Sequence, residues 1–429
     1  MAWRLISRGR FEARLGQTKR ESEVEVRARP RRTDPSRKTR HSGSSAAAAS
    51  LAFSLFAAVV LGSVRAARAD VSMVFGHPVV VPAGFAAGVF VSGLGGVRYL
   101  AWGPDGSLYA SLSSAGEVVR IPVQPGGRQG GAPQVIAKHL DYPFGLAFRG
   151  SELWVALESA VVRLEQPKPN APATGYKVIA RLPGGGAHIT RTLAFAPDGA
   201  HLFVSVGSSC NVCVERDPRR AAVLRFSLDG GGQTVFARGL RNAVGLAIEP
   251  ATGALWATCN ERDNLGGRNQ ALTDRLPRER VVDIIKQGAD YGWPYCYAAA
   301  DGLLEANPEF GDPGLCVGKA APVVTDTAHS APLGAAFYTG RAFPKEYRGN
   351  FFVAYHGSWD RTEPSGYAVV RVPVVSGTPR VRAPLPFMTG FVVNGQGWGR
   401  PVDVAVGPDG ALYVSDDREG AVYRVFYRR

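Results

Sequence analysis

The sequence predicts an all-β protein, a single six-bladed β-propeller closed by its own N-terminal strand. First, a unit of apolar strand, tight turn and second apolar strand occurs six times. Its central alanines, Ala101, Ala147, Ala194, Ala247, Ala336 and Ala405, lie 46, 47, 53, 89 and 69 residues apart. Short strands repeating near every 50 residues between Gly-rich turns are the pattern of propeller blades. Second, the units continue into a third strand (VVRIP, VVRLE, VLRFS, VVRVP) and a fourth (QVIAKHL, KVIARLP, TVFARGL, RAPLPFMTGF) that leads into the next repeat. Third, the last unit stops at a third strand, AVYRVFYRR, while residues 84–94, GFAAGVFVSGL, have the pattern of the missing fourth. Closure by that strand leaves no open sheet edge around the circle.

Residues 1–69 stand outside this architecture. They hold 15 Lys+Arg against 5 Asp+Glu, a net +10 of the chain's +14. Residues 46–62 form an uncharged, Ala-rich run of 17 residues, and Ala67-Arg68-Ala69 after it is a small-x-small cleavage pattern. The segment reads as a basic leader plus a signal peptide cut near Ala69, and the protein as periplasmic or secreted. The competing reading is an uncleaved anchor, for which the run is at the lower length limit. The basic stretch exceeds what a signal needs, so either translation starts after Met1 or Arg31-Arg32 is a weak twin-arginine signal. The excess charge leaves with the leader, which removes the case for a nucleic-acid partner.

The propeller domain is then residues 70–429. Its first unit, VRYLAWGPDGSLYASL from Val97, turns through GPDG: Pro fixes φ, Asp bonds back to the backbone and Gly accepts a positive φ. PFGLAFRGSELWVAL follows from Pro143, TRTLAFAPDGAHLFVSV from Thr190 and NAVGLAIEPATGALWAT from Asn242. APLGAAFYTG with NFFVAYHGSWDR, from Ala331, and RPVDVAVGPDGALYVSDD, from Arg400, complete the set. The gap of 89 residues after Ala247 predicts that residues 260–330 are a long insertion over one face.

In a propeller the first strand of each blade lines the central channel, so residues just ahead of those strands should meet at one mouth. They are Arg98, Asp141 and Tyr142, His188, Arg241 and Asn242, His329, and Arg400. Three arginines and two histidines around one pocket suit an anionic ligand. The alternative is that each arginine only binds carbonyls of the neighbouring blade.

Six motifs in order, HITRTLAFAPDG at His188, GLRNAVGLA at Gly239, CNERDNLGG at Cys259, DYGWPY at Asp290, AYHGSWDR at Ala354 and GRPVDVAVGPDGALYVSDD at Gly399, resemble the soluble quinoprotein glucose/sorbosone (aldose sugar) dehydrogenases. The resemblance spans about residues 84–427. It implies a six-bladed propeller that binds pyrroloquinoline quinone (PQQ) and Ca2+ and oxidises a sugar or polyol. By the same resemblance His188 is the general base, and Arg241 and Asn242 contact the quinone and the reacting oxygen. Arg400 holds cofactor carboxylates, and the loop of Glu261, Arg262 and Asp263 binds the calcium, through the first two main-chain carbonyls and the Asp263 carboxylate. The sequence departs from the family at three places. His139-Leu140-Asp141-Tyr142 stands where the family has a glutamine, Thr339 where it has a lysine, and Ala187 where it has an acidic residue. Arg98, His329, His356 and Arg361 are then expected to supply cofactor contacts. Trp293 and Trp359 either line a sugar site or brace loops.

The five cysteines fit an oxidising compartment, with Cys210 paired to Cys213, Cys296 to Cys316, and Cys259 free. The C-x-x-C lacks the following His of a haem attachment site, and no Walker loop, GxSxG elbow or HExxH motif is present. The expected partners are a small sugar or polyol and an electron acceptor, a quinone or small cytochrome. The alternative is a calcium propeller without quinone, acting as a lactone hydrolase or binding module; the missing glutamine and lysine favour it, and the cationic mouth opposes it.

Overall fold

The computed structural model describes residues 69–165, 173 and 175–428. Six four-stranded antiparallel sheets are formed, each with its strands in chain order from the channel outward, apart from the last. The innermost strands are Val97–Trp102, Leu146–Arg149, Leu193–Phe195, Asn242–Ile248, Pro332–Phe337 and Pro401–Val406. These begin blades 1 to 6. In blade 6 the outermost strand is Phe85–Val91, which pairs with Ala421–Tyr427 from Phe85 opposite Tyr427 to Val91 opposite Val422. The expected closure is therefore present. Gly84 starts it at φ +83, where a Cβ would lie 2.5 Å from the Tyr427 ring.

Blades are held together through an aromatic at one repeat position in the second strand. Tyr109 meets Phe148 of blade 2, Trp154 meets Phe195 of blade 3, Trp256 meets Phe337 of blade 5, and Tyr413 meets Trp102 of blade 1, all edge-on at 4.8–5.4 Å. Each ring crosses to the first strand of the next sheet, so neighbouring blades share one core. Because both faces of a blade are covered, second strands such as Phe351–Tyr355 are buried at every residue and show no polar alternation.

Two features differ from the sequence reading. Residues 260–330 are not one insertion, since Glu279–Ile285 and Val324–Asp326 are the third and fourth strands of blade 4. Within that range 261–278, 286–323 and 327–330 leave the sheet, and 286–323 carries a small hairpin, Cys296–Ala298 with Leu304–Ala306. Ahead of the closing strand, Ala69–Val74 and His77–Pro82 form a further hairpin. It buries Val74, Val79 and Val81 in the core of blades 5 and 6. Residues 1–68, where the leader and signal peptide are expected, lie outside the described residues. Among the described residues no helix is long and apolar enough to cross a membrane.

Trp256 is fully buried, and its indole N–H has no hydrogen-bond partner among the described residues. Trp256→Ala should cost about 3–5 kcal/mol, read as a lowered melting temperature. Trp256→Phe should recover most of that loss, because the unpaired donor leaves with the indole.

Candidate active site

The mouth of the channel is a pocket of about 250 Å³ lined by Arg98, His188, Arg241, Asn242, Glu261, Asp263, His329, His356 and Arg400, with Glu279 and Trp359. Residues spread over more than 300 positions of sequence converge because they sit near the starts of inner strands, just past the ends of second strands (Glu261, Asp263, His356, Trp359) or, for Glu279, at the start of a third strand. Three expected residues are not brought there. Asp141 accepts a bond from the Ser159 hydroxyl at 2.7 Å, and Tyr142 is turned to solvent. Arg361 lies outside the pocket because its guanidinium is spent on carbonyls of Asp274, Ala328 and Glu363. Arg262 is also directed away, to Asn307 at 3.2 Å and Glu309 at 2.5 Å, which leaves only its main chain for any metal.

His188 sits at the pocket wall with its ring fixed. Nδ1 is 3.1 Å from the Ser208 carbonyl and 2.8 Å from Ser208 Oγ, whose own proton is donated to the Cys210 carbonyl at 2.7 Å. Both oxygens can only accept, so Nδ1 carries the proton and Nε2 keeps its lone pair. Burial, then the Arg241 cation, pushes the imidazole down to about 3. The preceding loop is clamped by Arg191 of the HxxR motif, fully buried, which donates to the carbonyls of His188, Thr190 and Pro183. Gly207 makes the close approach possible: a Cβ there would lie 2.5 Å from His188 Cβ and 2.8 Å from Asn242 Oδ1.

Arg241 is almost fully buried. Nη1 donates to the Glu261 carbonyl at 2.6 Å, and Nη2 to Asp263 Oδ2 at 2.9 Å and to Asn211 Oδ1 at 2.8 Å. Asp263 also lies with His329 and Asp360 in a group whose ligand atoms are within 4.8 Å of one another. His329 Nε2 faces the Thr273 carbonyl at 2.9 Å, which turns Nδ1 toward Asp263 at 3.9 Å. Beneath this loop Glu279 accepts the Glu261 amide at 2.9 Å. Its carboxyl is pushed up to about 8, chiefly by burial and further by the charges of Glu261 and Asp263.

Opposite, Asp417 joins Arg98, at 2.7 Å, to His356, at 2.9 Å. Burial opposes the Asp417 charge, but His356 and Arg98 hold its carboxyl below the usual range. His356 is pushed down to about 4, mainly by burial. Arg400 donates to the carbonyls of His356 and Gly357, both at 3.0 Å, and makes no ion pair among the described residues. Its charge is thus the least compensated of the three arginines. Asn242 Oδ1, Glu261 Oε2 and Arg98 Nε are buried without hydrogen-bond partners among the described residues.

The sequence reading missed Asp417, Asn211, Gly207 and Glu279. Only Asp417 left a signal, as the second acid of YVSDD after the last unit. Trp293 braces a loop, donating to the Asn211 carbonyl at 3.2 Å, whereas Trp359 lines the mouth and is 70% exposed. The disulfides are Cys210–Cys213 and Cys296–Cys316, with Cys259 free and buried, as expected.

The pattern of the TrAA12-like family covers residues 79–428. The chain belongs to the TrAA12-like family. Similar relatives include a Borreliella burgdorferi protein, 29% identical over 307 residues, covering 68% of this chain and 78% of that one. Another is a Coprinopsis cinerea enzyme named as a PQQ-dependent pyranose dehydrogenase, 28% identical over 290 residues, covering 55% of this chain but only 39% of that one. A holo-form structure of that enzyme's PQQ domain superposes with a TM-score of 0.69 at 22% identity, covering 83% of this chain and 98% of the other. A calcium structure of the Trichoderma reesei AA12 protein gives 0.71 at 22% identity, covering 81% and 97%. TrAA12-like membership and the shared fold agree with the quinoprotein resemblance of the six motifs.

Folding buries His188 in a site that disfavours the protonated imidazole. Between about 3 and 6.5 the unfolded chain binds a proton at this position that the folded chain refuses, so the His188 contribution to stability is present above 6.5 and lost as pH falls through that window. His188→Gln, which cannot titrate, should flatten the acid-side fall in melting temperature measured across that range.

Proposed function

We propose that the protein is an extracytoplasmic quinoprotein dehydrogenase that oxidises a sugar or polyol with PQQ and Ca2+. The observation that carries this reading is His188, held as the Nδ1–H tautomer with an unprotonated Nε2 facing a pocket bounded by Arg98, Arg241 and Arg400. An imidazole unprotonated at physiological pH has a lone pair free to accept a hydroxyl proton, and the fixed cations beside it suit the negative charge that develops while a hydride departs.

The residues present fit the cofactor. PQQ is a flat tricarboxylate, and Arg400 has charge to spare for a carboxylate. Asn242 Oδ1 and Arg98 Nε are a buried acceptor and a buried donor in want of partners, and Gly207 leaves room between His188 and Asn242. His356 adds polar wall, its Nε2–H fixed on Asp417. For the calcium, the main-chain carbonyls of Glu261 and Arg262 and the Asp263 carboxylate are proposed, with His329 and Asp360 within reach of Asp263. When bound, PQQ accepts the hydride and the ion polarises it as a Lewis acid.

The chain's own groups do the rest. His188 Nε2 takes the hydroxyl proton, while Ser208 and Cys210 keep the ring from turning. Arg241, stripped of water, stabilises negative charge that develops beside it. Trp359 offers an exposed aromatic face at the mouth on which a sugar ring stacks. The two disulfides agree with an oxidising compartment, and a quinone or small cytochrome is the proposed electron acceptor. The cationic mouth, with Asp263 paired to Arg241, favours this reading over a lactone hydrolase.

Protein reconstituted with PQQ and calcium should reduce a dye in the presence of an aldose or polyol. His188→Ala should lower kcat by about 10²–10⁴-fold with PQQ still bound. Tight calcium binding with no PQQ binding and no turnover would reject the dehydrogenase in favour of a calcium propeller.

A further inference from the structure

The short loop closed by the Cys210–Cys213 disulfide touches both halves of the proposed chemistry, and its sequence carries no motif for either. Its Cys210 carbonyl accepts a hydrogen bond from the Ser208 hydroxyl, which leaves Ser208 Oγ an acceptor for His188. Its Asn211 reaches Arg241 and the proposed metal loop together. The Asn211 main-chain carbonyl accepts Arg241 Nε at 3.1 Å, and Oδ1 accepts Arg241 Nη2 at 2.8 Å and the Asp263 amide at 2.9 Å. Asn211 Nδ2 donates to the Asp263 carbonyl at 3.0 Å. An amide is the one side-chain type of this length that meets these demands, with an oxygen for two donors and an NH₂ for a carbonyl. The loop is stiffened from three directions: the disulfide, Glu215 Oε2 accepting Ser209 Oγ at 2.8 Å, and the Trp293 indole on the Asn211 carbonyl.

We propose that Asn211 is the positioning residue that sets the Arg241 guanidinium against the Asp263 loop, and that the disulfide loop carrying it also fixes the His188 tautomer. The assignment rests on the dehydrogenase reading for its effect on turnover. Its structural content does not. Arg241 has five N–H donors and is nearly fully buried, so losing the Oδ1 acceptor, which also holds the Asp263 amide, loosens the guanidinium from the Asp263 loop on the side where it lines the pocket.

Two variants of the full chain test this, Asn211→Ala and the double substitution Cys210→Ser with Cys213→Ser. Asn211→Ala should lower kcat about 10–100-fold in the PQQ- and calcium-loaded protein with a much smaller change in KM, because the misplaced group acts on developing charge. Asn211→Asp keeps the oxygen that faces Arg241 but sets its second oxygen against the Asp263 carbonyl, so it should recover only part of the kcat lost in Asn211→Ala. The second readout needs no cofactor: imidazole-nitrogen NMR of histidine-labelled protein. Wild type should show His188 as a single Nδ1–H tautomer, and the double serine variant a mixture of tautomers titrating closer to 6.5. Unchanged kcat in Asn211→Ala together with unchanged His188 signals in the double variant overturns the proposal. So does a loss of kcat that only tracks a lowered melting temperature and is not recovered in any part by Asp. If wild type itself shows no turnover, the dehydrogenase reading fails, and the NMR result still decides whether the loop fixes His188.

Discussion

The antiparallel pairing of Phe85–Val91 with Ala421–Tyr427 is the constraint on which the molecule depends. Six sheets splayed around an axis share cores only with their neighbours, so an open ring would leave blades 1 and 6 each with one apolar face in water. Pairing the two ends of the chain converts that arc into a circle. The contact of Tyr413 with Trp102 across the junction is then equivalent to the other blade contacts. The pocket inherits its precision from this closure. Arg98 comes from blade 1 and its partner Asp417 from blade 6, 319 residues apart in sequence, and they meet only when the ring is shut.

Within the pocket the governing balance is between buried cations and the groups that neutralise them. Arg98 and Arg241 are each matched by a carboxylate, while Arg400 meets carbonyl dipoles and the Tyr367 ring face but no carboxylate among the described residues. The site therefore holds one arginine whose full charge is directed at a ligand, and two whose charge is partly spent on geometry. The same crowding of cations, added to desolvation, keeps His188 neutral without any acidic neighbour, consistent with Ala187 standing next to it. Geometry comes from neutral groups instead, Ser208 and the Cys210 carbonyl. The pairing of Asp263 with Arg241 couples the segment proposed for calcium to the arginine proposed for the quinone.

Repetition made most of the fold legible in the sequence. The closing strand could be read because the last unit visibly lacked a fourth strand, and the site residues because they fall at one register ahead of the inner strands. The third strand of blade 4 could not, because Glu279, Arg280 and Asp283 make it look like a solvated segment. In the structure Arg280 holds Asp283 through two bonds at 2.7–2.8 Å, and all three side chains are buried. The hairpin Ala69–Val74 with His77–Pro82 was hidden by its apolar outer face, where Val71 and Met73 are exposed. Arg361 was misplaced because a position near the mouth does not say which way a long side chain turns. Asn211 and Gly207 were invisible because their importance lies in partners 30 or more residues away, or in a Cβ that is absent.

The central claim is that the mouth bounded by His188, Arg241 and Arg400 binds PQQ. The most direct test is calorimetric titration of PQQ into the calcium-loaded protein, with Arg400→Ala alongside. The account predicts one PQQ per chain and an affinity at least about 10-fold weaker in the variant, whose pocket has lost its uncompensated cation. No binding to the wild type, or equal binding to both proteins, would contradict it.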